Sequence, residues 1–252
     1  MYRIMSFNVL CGGKDDHWWT GRTSLVCQII KEAKPSSFGV QEAHIGWIHA
    51  LCEGLPEYDY VGVGRDDGKE GGEFSAVFYL KDKFTASDFG NFWISETPEK
   101  PSKGWDSACI RNATFVRLTD RENGKSYIHF NTHLDHVGRT AQINGAKMIQ
   151  EKAASFKGVP VVCTGDFNVL QGSDCYKTMI SGNMGDARFM APDSDDKWTF
   201  HGFMPEEIKH IIDFVFVDEK TVKPLKFRVI DKKIDGKFYS DHNAIYADIE
   251  LK

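Results

Sequence analysis

Apolar and polar positions alternate along the chain with two different periods, and these periods predict its secondary structure. Short runs rich in Val, Ile, Phe and Tyr with period-2 alternation are typical of strands. The predicted strands are Tyr2–Val9, Ser37–Gln41, Tyr58–Val63, Phe74–Leu80, Ala108–Leu118, Tyr127–Thr132, Val159–Thr164, Ile211–Val217, Lys226–Ile230 and Ala244–Leu251. Apolar stripes at helical spacing predict helices over Thr23–Ala33, His44–Cys52, Arg139–Phe156 and Asp174–Ile180.

The order of these elements predicts an α/β (α+β) chain with two packed mixed sheets. Some strands alternate with helices, whereas the stretch from residue 58 to 132 consists of consecutive strands. Two packed mixed sheets with helices outside accommodate both arrangements. Because the sequence has no internal repeat, low-complexity tract or Pro/Ser-rich linker, we expect a single domain over residues 1–252.

The overall charge of the chain bears on its partners. Of the 252 residues, 41% are hydrophobic and 13% are aromatic, which is ample for a large core, and the formal net charge is −5. A protein that binds along a duplex through phosphate contacts is usually basic. An anionic substrate would therefore be held by a local site, where a bound divalent cation would supply the positive charge.

The six cysteines favour free thiols and a reducing compartment. None of them belongs to a CxxC pair and several lie in apolar runs, so we expect neither a disulfide framework nor a zinc site. No apolar run approaches the length of a transmembrane segment, and the first predicted strand begins at Tyr2, which leaves no room for a signal peptide. We therefore expect a cytoplasmic protein, and the sequence indicates no protein partner.

Acids, amides and histidines stand at the ends of apolar strands. Burying such a group without a partner costs about 2–7 kcal/mol, so these groups are expected to pair with one another or to bind a metal. Because strand ends gather at one edge of a sheet, we predict a shared site there. The residues concerned are Asn8, Glu42, Asn131, His133, Asp135, Asp166, Asn168, Asp213, Asp241 and His242.

The most specific segment runs from residue 159 to 168. Its hydrophobic strand breaks at Gly165, and Asp166 and Asn168 then project in the same direction. Asp166 can accept a proton from water, and Asn168 can hold a phosphoryl oxygen without adding negative charge. The alternative is a type I turn that uses Asp and Asn for local reasons.

Further residues of this group have both a chemical and a plain structural interpretation. Asp213 lies in a strand too hydrophobic for a bare carboxylate, and His242 could pair with it and so have its tautomer fixed. The alternative pairs Asp213 with backbone or a lysine. Glu42 alone is typical of a first-turn helix acid, Asn8 of a turn residue, and His133 of a satisfied core group.

Six motifs in order resemble the endonuclease/exonuclease/phosphatase superfamily, which includes DNase I, abasic-site endonucleases, neutral sphingomyelinases, inositol polyphosphate 5-phosphatases and the nocturnin/carbon-catabolite-repressor deadenylases. The resemblance runs through the whole chain and implies a four-layer α/β/β/α sandwich of the DNase I-like kind. Further stretches, from residue 64 to 68 and from 93 to 98 among them, resemble a bacterial branch near the deadenylases. The six motifs are Phe-Asn-Val (7–9), Gln-Glu (41–42), Asn-Thr-His-Leu-Asp (131–135), Gly-Asp-Phe-Asn (165–168), Ile-Asp-Phe-Val-Phe (212–216) and Ser-Asp-His (240–242).

The resemblance implies a metal centre and a catalytic set. Glu42 and Asn8 resemble the metal ligands, with Asp241 as a further one, for Mg²⁺ or for Mn²⁺ as a substitute. The catalytic set has three parts: a residue that orients or deprotonates water, its phosphate-binding companion, and two histidines, one of which is paired with an aspartate. The matching residues are, in that order, Asp166, Asn168, His133, and His242 with Asp213.

Five residues are predicted to contact substrate or to support such contacts. Arg111 lies on the strand where members place a phosphate-contacting side chain, and Glu73 lies where DNase I-like members keep an acid that pairs with the second histidine. Arg65 could contact phosphate locally, His201 could line the pocket, and Trp105 could stack a base, with packing as the alternative. Other loop residues with aromatic or imidazole rings are His17, Trp18, Trp19, Trp93 and Trp198.

The resemblance implies a Mg²⁺-dependent phosphoesterase. We expect it to hydrolyse phosphodiester bonds by in-line attack of water, as an exonuclease-like nuclease or nucleotide phosphodiesterase that acts on nucleic-acid ends or nucleotides. One alternative is a phosphatase or phosphodiesterase for a small or lipid-linked phosphate, similar to sphingomyelinases or inositol phosphatases. Another is a catalytically silent binding module.

Overall fold

Two β-sheets pack face to face, and helices cover their outer faces. The structure is a computed structural model that describes residues 1–13 and 18–252; the loop histidine His17 lies outside the described residues. The helices are α1 (Trp19–Ala33), α2 (Ile45–Gly54), α3 (Arg139–Ala154), α4 (Asp174–Met179) and α5 (Ala187–Met190). No helix in these two ranges is long and apolar enough to cross a membrane.

Both large sheets are mixed. In spatial order, the seven-stranded sheet contains β12 (Asp193–Ser194), β14 (Val222–Ile230), β15 (Ala244–Leu251), β1 (Tyr2–Asn8), β2 (Ser37–Gln41), β6 (Val77–Leu80) and β4 (Tyr58–Val61). The six-stranded sheet contains β11 (Met184–Asp186), β13 (Asp213–Asp218), β10 (Val161–Asp166), β9 (Ser126–His133), β8 (Asn112–Asp120) and β7 (Phe84–Trp93). A short ladder joins β3 (Ala43–His44) to β5 (Glu73–Phe74).

Three apolar layers separate four layers of secondary structure, because successive side chains of a strand face opposite sides. On β1, Met5 and Phe7 face helices α1 and α2, whereas Tyr2 and Ile4 face the other sheet. The six-stranded sheet buries Phe130 and its neighbours against α3 and α4 on its outer side. The predicted α/β/β/α sandwich is therefore confirmed.

One long strand, β7, has no counterpart among the predicted strands. It lies at the edge of its sheet, and among its ten residues only Phe84 and Trp93 at the two ends are buried. A register shift between Ser87 and Gly90, with Asp88 at a φ of 42°, further breaks its alternation. An edge strand with few buried side chains carries little hydrophobic signal.

The topology brings the carboxyl ends of several strands to one edge. β1 and β2 are parallel neighbours, so Asn8 lies opposite Gln41, one residue before Glu42. β9 and β10 are parallel as well, and Asp166 pairs with His133 on one side and with Asp213 of antiparallel β13 on the other.

Candidate active site

Asp166 lies at the centre of the strand-end cluster. Its Oδ2 accepts a hydrogen bond from Asn8 Nδ2 at 2.9 Å, and lies 3.6 Å from His133 Nε2 and 3.7 Å from His242 Nε2. Its Oδ1 accepts the backbone N–H of Asn168 at 2.9 Å. This local bond from Asp166 to the chain two residues on is not a type I turn, because Asn168 has a φ of 52°. The second carboxylate oxygen is surrounded by nitrogen atoms.

Glu42 is held in place by its backbone and by two donors. It has a φ of 59° just after β2, a conformation that non-glycine residues rarely adopt. Its carboxylate accepts Asn8 Nδ2 at 3.0 Å and the N–H of Cys11 at 3.1 Å. Burial raises the pKa of Glu42, but His133, the Asn8 hydrogen bond and His242 outweigh it and lower the pKa to about 2. Glu42 is therefore an anion at neutral pH.

Glu42, Asp166 and His242 could hold a metal ion. One ligand atom from each of these residues lies within 4.8 Å of the others. The carboxylates of Glu42 and Asp166 suit a hard cation such as Mg²⁺ or Mn²⁺, so they fit the expected ion, whereas His242 could bind one only as a neutral imidazole. Asp241 lines the same cavity, and burial raises its pKa.

Asn8 lies differently from the expected ligand geometry. Its amide nitrogen donates to both Glu42 and Asp166, while its Oδ1 accepts the N–H of Leu10 at 3.0 Å. In this arrangement Asn8 bridges the two carboxylates, and its side-chain oxygen is turned toward the backbone. A ligand role for Asn8 requires the amide to turn over, and it stays a prediction.

His242 and Asp213 form a buried pair, as the residue pattern predicted. His242 Nδ1 and Asp213 Oδ2 are 2.9 Å apart, and both side chains are almost fully buried. Burial alone would lower the pKa of His242, but Asp213 and then Asp166 raise it well above its usual value. The neighbouring carboxylates therefore favour the protonated form of His242, and its second nitrogen faces Asp166.

His133 is held between an amide and a carboxylate. Its Nε2 lies 3.0 Å from Asn168 Nδ2, and its Nδ1 lies 3.6 Å from Glu73 Oε2. Arg65 donates to both oxygens of Glu73, at 2.7 and 3.0 Å. Glu73 thus lies beside the second histidine at ion-pair distance, as predicted, but without a hydrogen bond to it, and Arg65 fixes the acid from the other side.

Arg111 is a buried cation whose donors are incompletely used. Its side chain is 5% exposed, and neither Nε nor Nη1 has a hydrogen-bond partner among the described residues. The nearest acids are 3.9 Å away at Glu73 and 3.8 Å away at Asp135. Buried donors are normally satisfied, so these N–H groups are available to donate to an anion beside them.

These side chains surround one cavity of about 630 Å³. Its wall also contains three apolar side chains, of which Phe200 lies 4.7 Å from the His242 ring and Leu170 is exposed at the rim. Asn8 and Asp213 support the lining residues from behind. The lining comprises Glu42, Arg65, Glu73, Cys109, Arg111, His133, His136, Asp166, Asn168, Leu170, Phe200, His210, Ile212, Asp241 and His242.

Two residues predicted to contact substrate lie away from this cavity. Trp105 packs against the core beside α3, because it is adjacent to the turn in which Asp106 caps that helix. His201 lines a neighbouring cavity of about 410 Å³, where its ring lies 4.6 Å from that of Phe238 and its Nδ1 accepts the N–H of Phe203. Neither placement supports a role in the main cavity.

Two of the strand-end polar residues predicted to share the site, Asp135 and Asn131, have structural roles and do not line the cavity. The carboxylate of Asp135 accepts backbone N–H groups from residues 108, 109, 137 and 138, so its lone pairs are used in anchoring two loops. Asn131 lies between the sheets and donates to Val40 and Ala76 carbonyls. Conversely, His136, His210 and Phe200 line the cavity although no strand-end pattern marks them; for His136 the adjacent motif 131–135 was the available signal.

Comparison with known proteins bears on the chemistry of this cavity. Residues 5–242 match the model of the Endonuclease/Exonuclease/phosphatase family. The crystal structure of an endonuclease/exonuclease/phosphatase from Bacteroides vulgatus is similar, with a TM-score of 0.95 and 38% identity over 100% of this chain and 99% of that one. A mannosyl-6-phosphatase from Bacteroides thetaiotaomicron has a TM-score of 0.92 and 31% identity, over 99% and 100% of the two chains.

Two further proteins resemble this chain at lower sequence identity. An uncharacterised protein of Acanthamoeba polyphaga mimivirus is 24% identical over 144 residues, or 53% of this chain, and the match spans 54% of that protein. The catalytic domain of human nocturnin has a TM-score of 0.77 at 18% identity, over 100% and 93% of the two chains. At that identity the likeness concerns the fold alone.

Proposed function

The chain belongs to the endonuclease/exonuclease/phosphatase family, whose members are phosphoesterases, and from this premise we propose that it is a Mg²⁺-dependent hydrolase, with Mn²⁺ as a substitute. It cuts a P–O bond of a small phosphorylated compound by in-line attack of water. The observation that carries the proposal is the shared cavity. Carboxylates within 4.8 Å of one another face the same space as a buried imidazolium and an arginine with unpaired donors.

Asp166 is the proposed acceptor of the proton from water. His242 is less suited to that role, because the charges of Asp213 and Asp166 raise its pKa and keep it protonated. A positioned general base contributes a factor of about 10²–10⁴ to the rate. Asn168 donates its backbone N–H to one oxygen of Asp166, which leaves the other oxygen facing the two imidazoles.

The phosphoryl group would be held by donors on several sides. His242 offers a protonated nitrogen, Asn168 an amide, and Arg111 its unpaired Nε and Nη1. Donors fixed before the reaction stabilise the charge that develops on the phosphoryl oxygens. A divalent cation bound at Glu42, with Asp241 as a further ligand, would neutralise phosphate charge and stabilise the leaving oxygen.

A small phosphomonoester is the substrate class that the site supports best. The net charge is −5, and the side chains that line the cavity include no lysine among the described residues. A polynucleotide normally requires an extended positive surface. The mannosyl-6-phosphatase at 31% identity further supports a phosphorylated sugar or a similar polar compound.

Hydrolysis of phosphodiesters in nucleotides or nucleic-acid ends is the second candidate. The apolar wall favours it, since Phe200 and the exposed Leu170 offer surface on which a base could pack. The cavity thus has an apolar wall and a wall that carries the cations Arg65 and Arg111. A substrate with one charged and one apolar end would fit this cavity.

Two chromogenic substrates test the proposal and separate the candidates. We expect p-nitrophenyl phosphate to be hydrolysed faster than bis-p-nitrophenyl phosphate in Mg²⁺, and both rates to vanish in EDTA and return with Mn²⁺. Faster cleavage of the diester would favour the second candidate. Absence of hydrolysis of either would support a binding module and contradict the proposal. A panel of hexose phosphates, dinucleotides, RNA, DNA and sphingomyelin then identifies the substrate.

A further inference from the structure

A second buried arginine lies behind the cavity and does not line it. Arg22, on α1, is 1% exposed and donates to four backbone carbonyls. Its Nη1 reaches Val9 O at 2.6 Å and Tyr239 O at 3.0 Å. Its Nη2 reaches Leu10 O at 2.8 Å and Gly12 O at 2.9 Å. Burying a guanidinium is costly, and these bonds show what offsets the cost.

The four carbonyls belong to two segments that adjoin candidate metal ligands. The segment from residue 9 to 12 follows Asn8, and its Cys11 N–H donates to Glu42 at 3.1 Å. The other segment leads from Tyr239 into Asp241. Within the described parts of the chain, Ser240 Oγ also donates to the Asn8 carbonyl at 2.7 Å, and the Phe7 and Tyr239 rings are in contact.

The segment from residue 9 to 12 also contains an unfavourable backbone conformation. Leu10 has a φ of 58°, which is unfavourable for a residue with a β-carbon. Its carbonyl accepts both Arg22 Nη2 and Trp47 Nε1, the latter at 3.1 Å. Such a conformation persists only where its surroundings hold it. Arg22 therefore contributes to keeping the Cys11 N–H directed at Glu42.

Arg22 also supplies charge behind the carboxylates. Burial lowers its pKa to about 10, against the opposing effects of Asp241 and Glu42, so the guanidinium remains charged at neutral pH. A permanent cation at this position reduces the repulsion between the two carboxylates before any metal ion binds.

We propose that Arg22 is a positioning residue that joins the loop after Asn8, whose Cys11 N–H holds Glu42, to the loop that leads into Asp241, so that the ligand set is formed before the divalent cation binds. The proposal rests on the metal dependence of the proposed function, but not on which bond is cut. Groups that orient metal ligands typically change metal affinity by about 10–100-fold when they are removed. A lysine cannot reach four carbonyls at once, because its ammonium has only three donors.

Manganese binding provides the test, measured by calorimetry on the whole protein. We expect Arg22→Lys to bind Mn²⁺ about 10–100-fold more weakly than the wild type, and to regain most of its turnover at saturating Mn²⁺. Arg188→Lys is the matched control, since Arg188 is 5% exposed and donates to the Lys197 carbonyl at 2.9 Å, away from the cavity lining. It should lower the melting temperature and leave Mn²⁺ affinity unchanged.

Two results would overturn the proposal: unchanged Mn²⁺ affinity in Arg22→Lys, or an equal loss in Arg188→Lys. Hydrogen exchange on the wild-type protein covers the case in which Arg22→Lys fails to fold. The Cys11 N–H should be protected before Mn²⁺ is added, and exchange at the unprotected rate would contradict a preformed ligand set. Arg22-dependent Mn²⁺ binding in a protein without phosphoesterase activity would support this inference and contradict the proposed function.

Discussion

Two buried polar regions of this molecule are built from the same strands but differ in charge. Between the sheets, hydroxyl, amide and imidazole groups form a continuous neutral network. It runs from Ser37 to His129 at 2.8 Å, on to Thr164 at 2.9 Å, to Asn131 at 3.0 Å, and to Gln41 at 2.7 Å. Two residues further along β9 and β10, the same faces carry His133 and Asp166 and the network becomes charged.

The two regions also differ in how far their donors are satisfied. In the neutral network the unpaired atom among the described residues is Gln41 Oε1, an acceptor. In the cavity the unpaired atoms are nitrogens of cationic or imidazole groups, at Arg65, Arg111 and His133. Neutral groups that satisfy one another stabilise the sandwich, whereas charged groups with unused donors mark the place where a ligand completes the set.

Two buried histidines express this contrast most clearly. Burial lowers the pKa of His129 to about 3, because its partners Ser37 and Thr164 are neutral. Asp213 and Asp166 raise the pKa of His242 well above its usual value in spite of comparable burial. Burial alone therefore does not identify a functional histidine, and the charge of its partners does.

The largest expected effect comes from neutralising the charged region. We expect Asp166→Asn and His242→Asn each to lower turnover on p-nitrophenyl phosphate by a factor of about 10²–10⁴, because one loses the proton acceptor and the other a charged donor. Circular dichroism should show an intact fold. His129→Gln is the matched control for a buried polar substitution and should keep its turnover. Near-normal rates in both cavity variants would contradict the assignment.

Removing an unsatisfied donor should have a smaller effect. Arg111→Met is expected to lower kcat/KM for the phosphomonoester about 10–100-fold, because a hydrogen bond to a charged group contributes about 1.5–3 kcal/mol. Arg117, on the same strand, pairs with the exposed Asp88 at 2.7 Å and provides the control Arg117→Met. Steady-state kinetics with both chromogenic esters would measure this. Equal losses in the two variants would show that Arg111 acts only through general charge.

In the neutral region the expected effect is on stability and not on rate. His129→Gln cannot bridge Ser37 and Thr164 as an imidazole does, so it should cost about 1–3 kcal/mol of the free energy of unfolding. Urea denaturation at neutral pH would measure this cost. If His129→Gln kept its full stability but lost turnover on p-nitrophenyl phosphate, His129 would belong to the functional region, which would contradict the contrast between the two regions.

The smallest expected effect is a pH dependence of the free energy of unfolding, which His129→Gln should remove. The folded protein protonates His129 only near a pKa of about 3, whereas the unfolded chain does so near the ordinary value of 6.5. Stability from this group is therefore present above 6.5 and lost as the pH falls toward 3. Between about pH 7 and about pH 5.5, the wild type should lose about 1 kcal/mol more than His129→Gln. Equal losses would contradict the lowered pKa.

The fold and much of the cavity were predictable because their signals are local. Alternation along β1 and the continuous apolar run of β10 predict these strands, and a polar residue such as Asp166 at the end of an apolar run is conspicuous in the sequence. The edge strand β7 lacks that alternation and was missed. Asn131 and His133 share one face of β9, but only the packing of the other sheet decides that Asn131 is structural.

Residues whose role depends on distant parts of the chain were not predictable in this way. Arg22 resembles any charged residue of an amphipathic helix until its four carbonyl partners are known. The unpaired nitrogens of Arg111 are likewise a property of the assembled site. For Trp105 and His201 a loop position in the sequence does not show which neighbours the ring contacts: Trp105 packs against the core beside α3, and His201 packs on Phe238 in a separate cavity.

The central claim is that residues brought together from Glu42 to His242 direct a water molecule at phosphorus with the help of a divalent cation. Hydrolysis of a phosphomonoester in oxygen-18 water, followed by mass spectrometry of both products, tests it most directly. We expect the label in the released phosphate, none in the alcohol, and no reaction in EDTA or with Asp166→Asn. Label in the alcohol, or labelled phosphate formed equally well in EDTA, would contradict the account.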